Sequence, residues 1–507
     1  RLSARGLLAL ACAGTLCVWR PRGPDGAPAA SRGCAERVAV LLPATASFGL
    51  GRLRGGPESR LARRAGAAAA GAPAGLPVVV SGAGPAGLLA ARSVLDHCPE
   101  AEVRVFERRS DPRTEAVAGF RAYSLGLNIR GRTALQHWDG LWEQVAARGL
   151  LSSKFLLHLG GFQLQLRANS EEGVPTLLIS RSDLCAALLE DLEQRHGGSG
   201  RLRLHFGTTL ESADLAGCSC QTSEGETLRY SDLIGADGVN SVVREAMAQQ
   251  AEGFACDVVN LPGSFKVWVT ECPEAMDDQA VNLMEGRGYS LFSIPRADGR
   301  ICTILSWNGE EPPFVSEGGD ALAEQIAGDL PTYGRPPESA VAQLLEQRPS
   351  KAVTVRAGAY CNAAGRVLLL GDAAHSTGGT LGQGCNSAMA DVVTLDKLLA
   401  EQPDGASRAS ASIVDRVGQR FSALRQPEGL ALWKLLQLPP RGPLRLPYLA
   451  AQAGAGLLSR ILPGMDPPVQ NLLSETTTAY TEIVDRNAFW VSAALEDAPG
   501  RSVAAFE

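Results

Sequence analysis

The chain has 507 residues, 45% of them hydrophobic, and a net charge of -6, an ordinary globular composition with room for two domains. Residues 1–77 carry 11 Arg against 3 acids, a net +8, whereas the remainder carries 37 bases against 51 acids, a net -14; so acidic a body argues against nucleic acid as a partner. The 12 Cys are scattered, with one close pair, Cys218-x-Cys220, and no Cys/His spacing suited to zinc; this points to reduced thiols and offers no metal site.

No run of 18 apolar residues is present, so an ordinary membrane-spanning helix is not expected. Leu7 to Trp19 is a 13-residue apolar segment between Arg5 and Arg20, the size of a signal-peptide core. Residues 20–77 are rich in Arg, Ala, Gly and Pro and poor in acids, in the manner of a transit peptide. Residues 1–75 therefore read as a targeting leader outside the fold. Its two parts, with Phe48 near the start of the second, resemble leaders of proteins sent to complex plastids, and a mitochondrion is the alternative. Low-complexity disorder or translated non-coding sequence is the bland reading.

Leu76–Ser81 is a short β-branched run between Pro77 and Gly82, which predicts a buried parallel strand. Helical spacing follows over Gly87–His97, then a second strand at Val103–Glu107, which completes a βαβ unit. Ser182–Arg195 reads as an amphipathic helix and residues 202–230 as strands. Strands are expected at Phe265–Val269, Val281–Met284, Tyr289–Ile294 and Ile301–Trp307, forming a separate inserted sheet. Residues 320–347 read as one or two helices, Gly384–Leu399 as another, 401–411 as a polar loop, and 412–435 as helical up to Pro439-Pro440. The fold class expected is α/β: a Rossmann-like domain from residues 76–250 and 351–435, a mostly antiparallel substrate domain from 251–350 with part of 150–180, and a C-terminal helical tail from 436–507. Residues 445–463 are apolar, but Arg460 and the glycines argue against a spanning helix; a lid, a packing arm or a peripheral membrane contact are the roles open to the tail.

Three glycine-centred segments carry the chemistry. In Gly82-x-Gly84-Pro85-Ala86-Gly87, the first glycine allows a tight turn, the second lets backbone approach a pyrophosphate, and the third lets helix pack on strand. Glu107, with Arg108 after it, ends the second strand, where an acid accepts from ribose hydroxyls. This motif alone does not choose between NAD and FAD. In the third segment Gly371-Asp372 ends a strand, placing an acid for flavin ribityl hydroxyls. Gly382-Gln-Gly384-Cys385-Asn386 then opens a helix whose N–H groups would face the flavin pyrimidine. Between them, Asp237-Gly238 follows the strand at Leu233-Ile234. Arg181, ahead of an amphipathic helix, is within reach of a phosphate. Helix capping is the plain alternative for Asp372, and a packed or capping role is the plain reading of His375.

Together these residues resemble the single-component FAD-dependent aromatic hydroxylases, most nearly kynurenine 3-monooxygenase-like proteins. The resemblance runs from about Leu76 to Pro427. It includes Arg121 to Leu135, Ser180-Arg181-Ser-Asp-Leu184, Gly371 to Asn386 without a gap, and Phe421-Ser-Ala-Leu-Arg425-Gln-Pro427; Ser474–Ile483 is similar to the tail of algal and plant relatives. It implies a p-hydroxybenzoate hydroxylase-like fold, bound FAD, NADPH or NADH as co-substrate without a Rossmann fold of its own, and O₂. It further implies hydroxylation through a flavin 4a-hydroperoxide, with no side chain required as nucleophile or metal ligand. The departures concern the substrate. Phe155, beside Lys154, stands where the family places an Arg for a substrate carboxylate. The tyrosine expected near Asn169 is missing, a Tyr-Asn pair beyond Pro427 is replaced by apolar residues, and Gly379 replaces a proline. A buried carboxylate without its cation costs several kcal/mol, so a less acidic, more apolar small-molecule substrate is expected. Phe155, Tyr289 and Phe292 are its candidate contacts. Two further readings share the fold: a plastid flavin oxidoreductase acting on an isoprenoid, as reductase or epoxidase, and a non-catalytic flavin-fold protein. A halogenase is disfavoured because no Trp-x-Trp-x-Ile-Pro segment is present. Oligomeric state is not read from the sequence.

Overall fold

The computed structural model describes residues 75–496, apart from 115–122, 160–161, 168–173, 314–317, 403–411, 460 and 463, together with Phe506. The expected leader and most of the polar loop lie outside the described residues.

Val78–Ser81 is buried at every position and pairs in parallel with Val103–Glu107 on one side and Asp232–Gly235 on the other. A strand buried on both faces needs continuous apolar β-branched residues, which is what Val78, Val79 and Val80 supply. The full sheet runs Cys361–Asn362, Val367–Leu369, Asp232–Gly235, Val78–Ser81, Val103–Glu107, Leu202–Phe206. Pro85 opens the first helix, Pro85–His97, at a position where its missing N–H is not needed. Leu88, Leu89, Val94 and Leu95 of that helix are buried in the main core, each contributing about 1.5–3 kcal/mol of apolar burial.

The second layer is an eight-stranded sheet, in order His375–Thr377, Ser350–Ala357, Cys256–Glu271, Arg300–Asn308, Tyr289–Pro295, Ala280–Glu285, Lys154–Leu159, Phe162–Arg167. It is antiparallel except where Ala280–Glu285 runs parallel to Lys154–Leu159. Two helices, Gly319–Asp329 and Glu338–Glu346, cover one face, with Trp268 Nε1 donating to Tyr333 Oη at 2.9 Å beneath them. This sheet is larger than the inserted block expected from sequence. Ser350–Ala357, assigned by sequence to the dinucleotide-binding domain, instead pairs with Cys256–Glu271, because the pairing partner of an isolated strand is set by distant chain.

The helix Gln419–Leu435 contains Pro427 and is preceded by a π-helical turn at Val414–Gly418. The tail is helical, at Arg445–Leu458, Val469–Glu475, Tyr480–Arg486 and Ala488–Glu496. It is tied down by Arg130, which donates to the carbonyls of Leu473, Leu472 and Thr478 and lies 4.3 Å from the Tyr480 ring centroid.

On the outer side of the parallel-sheet domain, Asp396 accepts from His97 Nε2 at 3.0 Å and His137 Nε2 at 2.8 Å. Burial opposes ionisation of Asp396, but these hydrogen bonds hold its carboxyl down to about 2. The folded value lies below the ~3.9 of an unfolded Asp. The stabilisation is therefore fully present above that value and is lost as pH falls toward the folded one. Asp396→Asn is expected to cost about 1–3 kcal/mol at neutral pH. In denaturant titrations the gap to wild type should close as pH is lowered through that window. A gap independent of pH would contradict this.

Candidate active site

The three glycine motifs converge at the carboxyl ends of the parallel strands. Gly82 has φ +98°, and a Cβ there would lie 2.5 Å from the Ala236 carbonyl oxygen. At Gly87 a Cβ would lie 1.9 Å from the Gly82 carbonyl oxygen. Both are backbone approaches that only glycine permits. The loop N–H of Ala83 donates to Glu107 Oε2 at 2.9 Å, and Arg109 N donates to Oε1 at 3.1 Å. Glu107 thus shapes the phosphate loop from the strand end and, half-buried, keeps lone pairs for a ribose. Arg108 beside it is exposed.

The second motif is structural to a degree the sequence did not show. Asp237 Oδ2 accepts from Ser81 Oγ at 3.3 Å and from the helix-start amides of Val242 and Val243 at 2.9 and 3.4 Å. Asp237 Oδ2 is thus engaged by the fold, while Oδ1 is buried without a partner among the described residues. Arg244, buried, donates to the Ala373 carbonyl at 3.0 Å and so staples the second motif to the third. The preceding strands pair directly in the sheet, and these two side chains tie the motifs together beyond the strand ends.

Besides Asp237 Oδ1, Arg181 and Asp372 face the glycine loops with open valence among the described residues. Arg181 starts the helix Arg181–His196, and its Nη2 would be 3.4 Å from a Cβ on Gly84. Among the described residues its guanidinium has no hydrogen-bond or ion-pair partner. Asp372 follows Gly371, and its Oδ1 would be 3.5 Å from a Cβ on Gly384. No described group donates to it. Burial pushes the Asp372 carboxyl up, opposed by His375 and Arg181. A half-buried cation over a glycine loop and a half-buried carboxylate facing a helix start are costly when unpaired. The pyrophosphate and ribityl hydroxyls of FAD would satisfy both, so the donor set fits that cofactor.

The helix Gly384–Ala400 begins just after Gly382, which has φ +64°. Asn386 is fully buried, donates to the carbonyls of Gly126 and Gly382 at 3.2 and 2.9 Å, and accepts from Asn128 N at 3.3 Å. Its amide is consumed in holding the turn against strand Ser124–Leu127. Its side chain therefore positions the helix start expected to face the cofactor. Burial pushes the Cys385 thiol up to about 12, so it stays a protonated packing group.

Beneath Gly371 lies an ion network missed from sequence. Asp391, fully buried, accepts from Gly371 N at 2.9 Å, His375 Nε2 at 2.6 Å and Arg425 Nε at 2.8 Å. Burial opposes its charge, and His375 and Arg425 hold its pKa below the ordinary value. His375 is thus buried in a structural hydrogen bond to Asp391.

The eight-stranded sheet supplies the opposite wall. Along Tyr289–Pro295 side chains alternate faces. Tyr289 and Leu291 enter the helix-covered core, whereas Phe292 and Ile294 face the other way. Tyr289 donates to Asp329 Oδ2 at 3.2 Å on that covered side. Its expected part in a substrate pocket with Phe155 and Phe292 is therefore corrected. The other face holds Phe155, Leu157, Val281, Leu283, Phe292 and Ile294, partly covered by Leu150 and Leu178; Phe155 and Phe292, half-buried with centroids 6.0 Å apart, are the least covered of them. Ser290 and Ser306 share a hydrogen bond of 2.9 Å on the same face. Lys154, next to Phe155, is paired with Asp277 at 2.9 Å.

The model of a family described as an FAD binding domain matches residues 75–420. The kynurenine 3-monooxygenase of Salinispora arenicola (strain CNS-205) is 30% identical over 436 residues, covering 81% of this chain and 90% of its own length. That of Stenotrophomonas maltophilia (strain K279a) is 29% identical over 352 residues, covering 66% and 72%. A solved tetrameric form of 2-methyl-3-hydroxypyridine-5-carboxylic acid oxygenase matches with TM-score 0.56 at 20% identity, over 71% of this chain and 90% of that one; this supports the fold. With the motif geometry above, the chain belongs to the FAD-binding domain family, among its single-component flavin-dependent aromatic hydroxylases and monooxygenases.

Proposed function

We propose that the protein is an FAD-dependent monooxygenase that uses NADPH or NADH and O₂ to hydroxylate a small, neutral aromatic or otherwise apolar molecule. The observation that carries the substrate class is the half-buried Phe155–Phe292 pair, set among aliphatic side chains on the sheet face away from the two covering helices, with one hydroxyl pair and with Lys154 already paired with Asp277. A carboxylate on that wall would meet no free cation among the residues named, at a cost of several kcal/mol. Bound FAD supplies the electron transfer and O₂ activation.

The chain's own residues do the rest. Gly84 and Arg181 would hold the pyrophosphate, and Glu107 and Asp372 would accept from ribose and ribityl hydroxyls. The start of helix Gly384–Ala400 would stabilise negative charge on the reduced ring. The apolar wall excludes water and orients the ring to be oxidised. The apolar face equally suits an isoprenoid, whose reduction would proceed without O₂.

The test is flavin bleaching by NADPH and NADH with a panel of neutral and carboxylated aromatics and isoprenoids. Acceleration by a neutral aromatic, with O₂ then consumed, supports the proposal; acceleration only by carboxylates contradicts the substrate class. Phe292→Ala should raise KM for the neutral ligand roughly 10- to 100-fold with FAD affinity unchanged. Tyr289→Phe should leave both unchanged while costing about 1 kcal/mol of stability. Equal effects of both variants on KM would refute the face assignment. The basic, acid-poor composition of residues 1–77 supports plastid delivery, which a fluorescent fusion of residues 1–75 tests; a cytosolic signal contradicts it.

A further inference from the structure

Strands Tyr289–Pro295 and Arg300–Asn308 carry two hydroxyl pairs on opposite faces. Ser293 Oγ and Thr303 Oγ1 lie 3.0 Å apart on the side covered by the two helices, and both residues are fully buried. That pair belongs to the core. Ser290 Oγ and Ser306 Oγ lie 2.9 Å apart on the other face, directly opposite each other in the register. Both of these serines are only half-buried. Phe292 and Ile304 form the next row along the strands on that face, and Phe265 stands beside Ser306 on the adjoining strand. All three are half-buried as well. On the other flank Glu285, exposed, stands opposite Ser290.

Two facing hydroxyls carry two protons. One closes the bond between them, so the pair keeps one O–H to donate and lone pairs to accept. A ligand that expels water from this row without offering a polar group would leave that valence unmet, which disfavours a purely hydrocarbon occupant. An anion is disfavoured too, because cross-strand neighbours lie close enough for the Glu285 carboxylate to repel it. A hydroxyl meets both conditions: it accepts from the free seryl O–H and donates to a seryl oxygen. Rows two residues apart on one face are separated by about 7 Å, so a ring resting on Phe292 and Ile304 reaches the pair with one substituent.

We propose that Ser290 and Ser306 together are the polar anchor of the substrate site and take an uncharged hydroxyl borne by the ring. The inference rests on the reading of the site as one for a neutral aromatic, and it names the substituent that sets the substrate apart from a plain hydrocarbon. The pair fixes which end of the ring points along the strands toward Gly288, while Phe292, Ile304 and Phe265 hold the remainder by contact. It also discriminates: an isostere with a methyl group in place of the hydroxyl fits the same apolar side chains but leaves the seryl pair without a partner.

The experiment measures binding of para-cresol, its methyl isostere para-xylene and the carboxylate para-toluate to the FAD-loaded full chain, read from the perturbation of flavin absorbance. The ratio of the para-cresol and para-xylene dissociation constants in wild type is the reference. In the double variant Ser290→Ala, Ser306→Ala this ratio is expected to move roughly 3- to 10-fold against para-cresol, with para-xylene bound as tightly as before or tighter. Ser290→Ala alone should give part of the change. Ser293→Ala, on the covered face, should leave the ratio where it is even if stability falls, and retained FAD reports that each variant is folded. An unchanged ratio in the double variant, with both neutral ligands bound, would overturn the anchor and leave the neutral-aromatic reading standing. A shift of the same size in Ser293→Ala would overturn the anchor as well. Failure of both neutral ligands to bind, whether or not para-toluate binds, would overturn that reading and the anchor together.

Discussion

Gly87→Ala is expected to abolish FAD retention and to lower the unfolding free energy of the protein by about 2–4 kcal/mol. The added Cβ would sit 1.9 Å from the Gly82 carbonyl oxygen and 3.4 Å from Ala236 Cβ. The first neighbour is backbone, held in a turn at φ +98° whose own Cβ position is closed by Ala236. It has no rotamer to adopt, so either the helix Pro85–His97 lifts off the sheet or the turn opens. Both disperse the N–H groups that would cradle the pyrophosphate. Expression followed by flavin absorbance and a denaturant melt checks this. A variant that holds FAD at wild-type affinity would mean that the Gly82–Gly87 geometry is not what binds it.

Arg181→Leu is expected to separate cofactor affinity from stability. The guanidinium lies over Gly84 with no partner among the described residues. In the apoprotein it makes no hydrogen bond among the described residues and feels only the attraction of neighbours such as Glu107 and Asp372 against its desolvation, so replacing it by leucine is expected to change apoprotein stability little. In the holoprotein it would pair with phosphate through charge-assisted hydrogen bonds. Its loss should weaken FAD by about 2–4 kcal/mol, roughly 30- to 1,000-fold in Kd, while the apoprotein melts near the wild-type temperature. Arg181→Lys should recover only part, because a single ammonium cannot make the planar two-point contact. An apoprotein destabilised in step with the loss of FAD would assign Arg181 a structural role.

What the sequence made legible follows from what is local. Gly82, Gly84 and Gly87 lie within one turn and the start of one helix, so their spacing alone states their job. Glu107 and Asp372 were legible because each ends a short apolar strand. Asp391 was not: its partners Gly371, His375 and Arg425 are reached only after folding, and on its helix it looks like any acid. The same holds for Asp237 and Arg244, whose hydrogen bonds join motifs distant in the chain. Tyr289 and Phe292 show a different limit. Alternation says that they face opposite ways, but both sides of this strand are apolar because helices cover one of them. The other side packs on Leu150 and Leu178, so polarity could not say which residue joins Phe155. The anchoring of the tail by Arg130 through three backbone carbonyls left no side-chain pattern to read.

The central claim is that this flavin site oxygenates a neutral, apolar aromatic. The most direct measurement is turnover of the FAD-loaded full chain with NADPH or NADH under isotopically labelled O₂, followed by mass spectrometry of the products. The account predicts one labelled oxygen atom in a neutral aromatic product, little peroxide, and no labelled product from kynurenine or other carboxylated rings. Labelled hydroxykynurenine formed as readily as any neutral product, or a substrate reduced with no O₂ consumed, would contradict it.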